Sequence, residues 1–183
     1  MPKKVVVPIA QGFEEIEAVT VIDILRRAGV EVIVAGVSPD PIKGRNGIQL
    51  VADRPISEVK AIDVDMVVLP GGAQGAEHLA KCASTQQLLK DAAAHGKYLA
   101  AICAAPTVLS GLGMLDGKRV TSHPSVENTL GGVNYSDNRV VIDGRIITSR
   151  APGTAMEFAM ALVEILAGKE KVAEVNRGVL ANI

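Results

Sequence analysis

The chain opens on an unbroken apolar run, Val5-Val6-Val7-Pro8-Ile9-Ala10. Such a run suits a strand covered on both faces, as in a parallel sheet. Gln11-Gly12 turns the chain. From about Glu14 to Ala28 the apolar positions then recur with helical spacing, with carboxylates at the start, Arg26 and Arg27 at the end and Gly29 after them. That is a helix with its termini marked by charge and by a C-terminal glycine. Val30 to Ala35 is a second strand, which completes a βαβ unit. Ser38 to Gly47 is turn-rich, and Ile48 to Ala52 reads as a short edge or hairpin strand.

The same alternation continues to the C-terminus. Met66 to Leu69 is a third buried strand, stopped by Pro70-Gly71-Gly72. A helix from about Thr85 to Ala94 ends at His95-Gly96, and Tyr98 to Ile102 is a fourth strand with Cys103 at its end. Ala105 to Leu109 opens the next helix, with Pro106 suited to its first turn. Short strands are expected at 119–121, 139–142 and 145–148, the last two joined by the hairpin signal Asp143-Gly144. Ala155 to Leu166 is apolar almost all round and predicts a well-buried helix; a last short helix lies near Lys169 to Val175. The pattern predicts one domain over 1–183, a doubly wound α/β fold with a mostly parallel sheet and helices on both faces.

Composition narrows the function classes. The 183 residues are 48% hydrophobic but only 2% aromatic, so Val, Ile, Leu and Ala must fill the core. Nineteen basic against 20 acidic side chains give a net charge of -1. That balance offers no electrostatic footprint for nucleic acid or an anionic membrane. The first apolar run is too short to span a bilayer and lacks a secretory cleavage site. A soluble, cytoplasmic protein is expected. Cys82 and Cys103 show neither C-x-x-C nor zinc spacing and read as two free thiols.

Cys103 stands where a buried strand stops and a helix starts, in Ala100-Ala101-Ile102-Cys103-Ala104-Ala105-Pro106. The arrangement is that of the nucleophile elbow G-x-S-x-G, with Ala for each Gly and Cys for Ser. Small residues two before and two after are what so sharp a turn needs. A helix N-terminus there favours thiolate over thiol, which predicts a lowered Cys103 pKa. The N–H of Ala104 points to the same space and can donate to an oxyanion. The competing reading is an inert buried thiol. Cys82 lacks this context and is taken as non-catalytic.

The first helix suggests a partner. At about 100° per residue, Glu17 falls inside the apolar arc formed by Ala18, Val21, Ile22, Ile24, Leu25 and Ala28. Glu14 is explained by the helix dipole, and Glu15 lies at the arc's edge. Near the start of the helix, Glu17 lies by the carboxyl edge of the first strand and reaches the same crevice as Cys103. A buried carboxylate tends to stay protonated; Glu17 then donates to the sulfur or serves as general acid/base. The alternative is a solvated glutamate on the helix shoulder. His123, in Thr121-Ser122-His123-Pro124, is a loop histidine able to accept a proton from Cys103 or simply to stand exposed. His78 and His95 are expected on exposed helical stretches. Gly71 and Gly72 allow close backbone approach, and their N–H groups can bind an oxyanion, or they only make the turn. Neither G-x-G-x-x-G after a strand nor G-x-x-x-x-G-K-[ST] occurs, so no phosphate cofactor is expected. No cluster has metal spacing, so no metal is expected either.

At these residues the sequence resembles the ThiJ/PfpI superfamily, in the branch of the Parkinsonism-associated deglycase. The matching stretches are 12–17, 26–29, 67–72, 100–107, 121–124 and 148–154, which keep the family's order across nearly the whole chain. The resemblance implies a flavodoxin-like fold and a homodimer. It implies that Cys103 is an oxidation-sensitive nucleophile, that Glu17 is the protonated acid beside it, that Gly72 and Ala104 supply oxyanion-hole N–H groups, and that His123 lines the site. Arg45 matches an arginine brought near the partner's site. The activities implied are cofactor-free conversion of methylglyoxal to lactate and removal of early glyoxal adducts from side chains, with sulfinate formation, oxidative-stress protection and chaperone-like behaviour as the alternative output. Ala73 stands where relatives often have Asn, and Ala151 where Gly is common. Interface cysteines are missing around residues 43 to 51. Ala104 replaces the His of the protease-like branch, which argues against peptidase activity.

The expectation is an enzyme acting on small 2-oxoaldehydes or glycated side chains without a cofactor. The rivals are a redox sensor built on the same thiol and a plain structural module.

Overall fold

The computed structural model describes residues 2–182. In chain order the elements are β1 (Lys4–Ile9), α1 (Glu15–Arg27), β2 (Glu31–Gly36), β3 (Ile42–Lys43), β4 (Gln49–Leu50), β5 (Arg54–Pro55), β6 (Met66–Leu69), α2 (Ala73–Lys81), α3 (Ala83–Ala94), β7 (Tyr98–Ile102), α4 (Pro106–Ser110), β8 (Arg119–Val120), β9 (Asn134–Tyr135), β10 (Val140–Asp143), β11 (Ile146–Ser149), α5 (Ala155–Ala167) and α6 (Lys169–Val179).

Seven strands form the central sheet in the order β10-β11-β7-β6-β1-β2-β5. All neighbours run parallel except β10, which returns antiparallel on β11 through the expected Asp143-Gly144 turn. The apolar runs are continuous because both faces are covered. Val5, Val7 and Ile9 face the layer of α1, α5 and α6, with Phe13, Ile24, Leu25, Phe158 and Leu162. Val6, Val67 and Leu69 face the other layer, with Leu79, Leu89, Val108 and Leu109. Each fully buried aliphatic side chain contributes roughly 1.5–3 kcal/mol. The fold is the doubly wound α/β architecture that the alternation predicts, of the flavodoxin-like kind that the resemblance implies. No helix among the described residues is long and apolar enough to cross a membrane.

Some details differ from expectation. α2 is a separate helix starting directly after Gly72, and α3 begins two residues before Thr85. β3, β5 and β9 have only two residues each, too few to show a period. β1 lies between β2 and β6, so the winding direction reverses there. In such sheets the crevice outside the carboxyl ends at the reversal is where ligands bind. Gln11-Gly12, Pro70-Gly71-Gly72 and Cys103 end β1, β6 and β7 on that edge.

Candidate active site

Cys103 has φ of 64°, the left-handed region that a non-glycine residue rarely takes. The conformation costs roughly 1–3 kcal/mol and persists only where surroundings impose it. Here two backbone bonds impose it: Cys103 N–H donates to the Ser149 carbonyl at 3.0 Å, and His123 N–H donates to the Cys103 carbonyl at 2.9 Å. β11 and the loop after β8 thus clamp the turn from both sides. Ala101 and Ala105, two residues either way, are fully buried, as a sharp elbow requires.

Glu17 has no exposed surface. Its Oε2 accepts from the Gly71 N–H at 2.8 Å. Its Oε1 is buried without a hydrogen-bond partner among the described residues, while the side chain interacts with Cys103. Burial pushes its carboxyl from the ordinary 4.5 up to about 7, against the pull of Cys103, the Gly71 N–H and Arg45. The sulfur faces the N–H groups of Gly72 and Ala104. The residues singled out in the sequence as nucleophile, acid and oxyanion donors therefore meet at one point.

Gly71 and Gly72 are required sterically. A Cβ on Gly71 would lie 2.5 Å from Glu17 Oε2 and 2.6 Å from the Cys103 Cβ. Gly72 has φ of 87°, and a Cβ there would overlap the Gly12 carbonyl and lie 2.8 Å from the Glu14 N.

Three expectations need correction. First, a helix terminus alone does not lower the Cys103 pKa. α4 starts only at Pro106 and has five residues. Burial, then the charge and hydrogen bond of ionised Glu17, push the thiol from 9.0 up to about 12, while the Gly72 and Ala104 N–H groups pull it down. That rise corresponds to about 4 kcal/mol, against about 1 kcal/mol for a helix terminus. A thiolate forms here when the shared proton sits on Glu17, which removes the opposing charge. Second, the His123 ring is engaged through Nδ1 with Ser125, and the bond of His123 to Cys103 is made by the backbone. Its Nδ1 accepts from Ser125 N–H at 3.2 Å and lies 2.7 Å from Ser125 Oγ. A nitrogen that accepts from a backbone N–H carries no hydrogen, so the neutral ring has its proton on Nε2. Third, His78 is half-buried and not exposed, with Nδ1 2.9 Å from the Gln11 carbonyl.

Arg45 lies against its own chain's Glu14, Nε to Oε2 3.5 Å, with Glu14 almost fully buried. Glu14 and Glu15 are both buried, which the sequence pattern does not predict for Glu15 at an arc's edge. Its partners, Asn46 and Ile48, are remote in sequence, and no local signal marks them. Two surface clefts, of about 610 and 510 Å³, lie along β5 and α3 and are lined by neither Cys103 nor Glu17.

A strained cysteine at a strand end, backed by a buried acid and facing two backbone donors, defines a nucleophile-elbow site on a doubly wound sheet. The comparisons agree with this fold. The chain belongs to the DJ-1/PfpI family, which it matches over residues 3–165. It is 44% identical over 160 residues to the "Glutathione-independent glyoxalase DJR-1.2" of Caenorhabditis elegans, covering 86% of this chain and 85% of that protein. It is 42% identical over 179 residues to "Protein DJ-1 homolog A" of Arabidopsis thaliana, covering 97% of this chain but only 46% of that longer protein. The crystal structure of Drosophila melanogaster DJ-1beta superposes with a TM-score of 0.94 at 44% identity, covering 98% of both chains.

Proposed function

We propose that this chain is a cofactor-independent glyoxalase of the lactate-forming kind, with deglycase activity on early adducts of the same 2-oxoaldehydes. The observation that carries the reading is the cluster of Cys103, the raised Glu17 carboxyl and the Gly72 and Ala104 N–H groups. The sulfur attacks the aldehyde carbon of methylglyoxal as the shared proton settles on Glu17, forming the S–C bond of a hemithioacetal. The developing oxyanion meets the two backbone N–H groups and takes the Glu17 proton. The Glu17 carboxylate then removes the C1 hydrogen as a proton and returns it to C2, while the C1 hydroxyl proton passes to the C2 oxygen through the enediol, which converts the hemithioacetal into a thioester of lactate. Water cleaves the thioester to lactate and restores the thiol. Cys103 is only 9% exposed, which suits a small aldehyde or an extended adduct. The relative from C. elegans, named a glutathione-independent glyoxalase, supports the reaction class.

The chain acts, on this reading, as one cytoplasmic domain in a homodimer, with Ile16, Val19, Ile48 and Val51 as exposed apolar residues available to a second copy. Steady-state turnover of methylglyoxal tests the mechanism. Cys103→Ser should abolish lactate formation, and Glu17→Gln should cut it about 100-fold or more. Full turnover by Cys103→Ser overturns the reading.

The two N–H groups facing the sulfur also favour a second output, oxidation of Cys103 to sulfinate, because they can bind a sulfinate oxygen. Intact-mass measurement after peroxide checks it: two added oxygens must map to Cys103.

A further inference from the structure

We propose that the side-chain hydroxyls of Thr148 and Ser149, the last two residues of β11, are positioning groups for the nucleophile: each fixes one of the two backbone bonds that hold Cys103 at positive φ. β11 reads Ile146-Ile147-Thr148-Ser149 and is buried throughout. It turns from apolar to hydroxyl at the two residues that pair with Ala101 and Ile102, directly before Cys103. Thr148 and Ser149 have no exposed surface. A buried hydroxyl costs free energy unless it is hydrogen-bonded, so a pair of them closing an otherwise apolar strand implies partners that need them. Successive strand residues point to opposite faces, and the two hydroxyls find those partners on different segments.

Thr148 sets the carbonyl side of the elbow. Its Oγ1 accepts from the Thr121 N–H at 2.9 Å. Thr121 directly follows β8, and two residues on, the His123 N–H donates to the Cys103 carbonyl. Thr148 thus holds the segment that supplies that donor. Ser149 sets the N–H side. Its carbonyl accepts from the Cys103 N–H, and its Oγ donates to the Arg139 carbonyl at 2.7 Å, just before β10. The same Oγ lies 2.7 Å from Thr154 Oγ1. With the single Ser149 hydroxyl proton on Arg139, that contact is closed by the Thr154 proton, which also reaches the Ala151 carbonyl at 2.9 Å. Thr154 Oγ1 in turn accepts from the Arg150 and Ala151 N–H groups at 3.2 and 3.1 Å. The end of β11 is therefore pinned both to the start of β10 and to the turn before α5. A cysteine at φ of 64° stays there only where its surroundings impose it. Without either hydroxyl the elbow relaxes and carries the sulfur away from the Gly72 and Ala104 N–H groups.

The proposal rests on Cys103 as the reactive thiol of the mechanism above but not on its substrate. Its test is the rate of iodoacetamide alkylation at Cys103 on the full chain, read by peptide mass spectrometry above the alkylation midpoint and at a temperature where each variant is folded. Cys82, half-buried between α2 and α3, is read in the same digest as the control for folding. Thr148→Val keeps the shape and removes the hydroxyl; it should slow Cys103 about tenfold, the size of one lost hydrogen bond, and leave Cys82 unchanged. Thr148→Ser keeps the hydroxyl and should restore most of the rate. Ser149→Ala should also slow Cys103, and Thr154→Val reads the same side of the elbow if Ser149→Ala does not fold. A parent-like Cys103 rate in these folded variants overturns the proposal, even where their melting temperatures fall. So does a Thr148→Ser protein as slow as Thr148→Val, or a slowing shared equally by Cys82. Loss of the glyoxalase reading would show as turnover retained by Cys103→Ser and leaves this comparison intact.

Discussion

Gly71 holds Glu17 by one carboxyl oxygen: its N–H donates to Oε2 at 2.8 Å, while Oε1 is buried with no hydrogen-bond partner among the described residues, on the side chain that meets Cys103. One oxygen is anchored by the backbone, and the side chain as a whole hydrogen-bonds Cys103. Acid and thiol must therefore titrate as a pair.

The first expected outcome concerns that pair. Losing one proton from it leaves a single proton to divide between oxygen and sulfur, and near neutral pH the reactive thiolate arises in that state. Alkylation of Cys103 should rise with pH through a midpoint at about 7, where Glu17 titrates, and not near the ordinary thiol value of 9.0. Glu17→Gln should abolish the midpoint at about 7. A parent profile with its midpoint at the ordinary thiol value contradicts the shared proton.

Stability should follow the same group. The folded carboxyl titrates at about 7 and the ordinary one at 4.5. Below 4.5 both states keep the proton and there is no difference. Between 4.5 and about 7 the unfolded chain releases it while the folded chain keeps it, so stability falls as pH rises, by about 3 kcal/mol in all. Glu17→Gln has no such titration. Denaturant melts at acidic and alkaline pH should show the variant gaining on the parent as pH rises; a constant difference rules the linkage out.

Backbone strain at Cys103 gives a third outcome. Glycine usually destabilises a position relative to alanine, but at φ of 64° the order reverses. Cys103→Gly should be more stable than Cys103→Ala by about 1 kcal/mol. Thermal denaturation of the two variants reads this directly, and alanine equal to or above glycine would mean that the turn relaxes.

Gly72→Ala makes the fourth. The added Cβ meets the Gly12 carbonyl and the Glu14 N–H, both backbone, at a φ that disfavours alanine. A loss of about 2 kcal/mol or more is expected, with slower alkylation of Cys103 because a thiolate donor moves. Normal Cys103 reactivity in a folded Gly72→Ala protein would remove Gly72 from the site.

Much of the fold is legible in the sequence because the central strands are buried on both faces. Met66–Leu69 and Tyr98–Ile102 match their apolar runs residue for residue. α2 is not, because its apolar face is only Gly75, Ala76 and Leu79 among polar residues. Cys103 is legible from its small neighbours at a strand's end, and Glu17 from its place on the buried arc. The cost of burying the thiol is not, since it depends on where a neighbouring proton sits. Nor is the burial of Glu15, whose partners lie 31 and 33 positions away and belong to tertiary structure alone.

The elbow's backbone acceptor is Ser149, 46 residues beyond the cysteine it restrains. A nascent chain that has delivered Cys103 but not β11 lacks one of the two backbone bonds that hold that turn. The elbow is clamped from both sides only once the last strand of the sheet has been added.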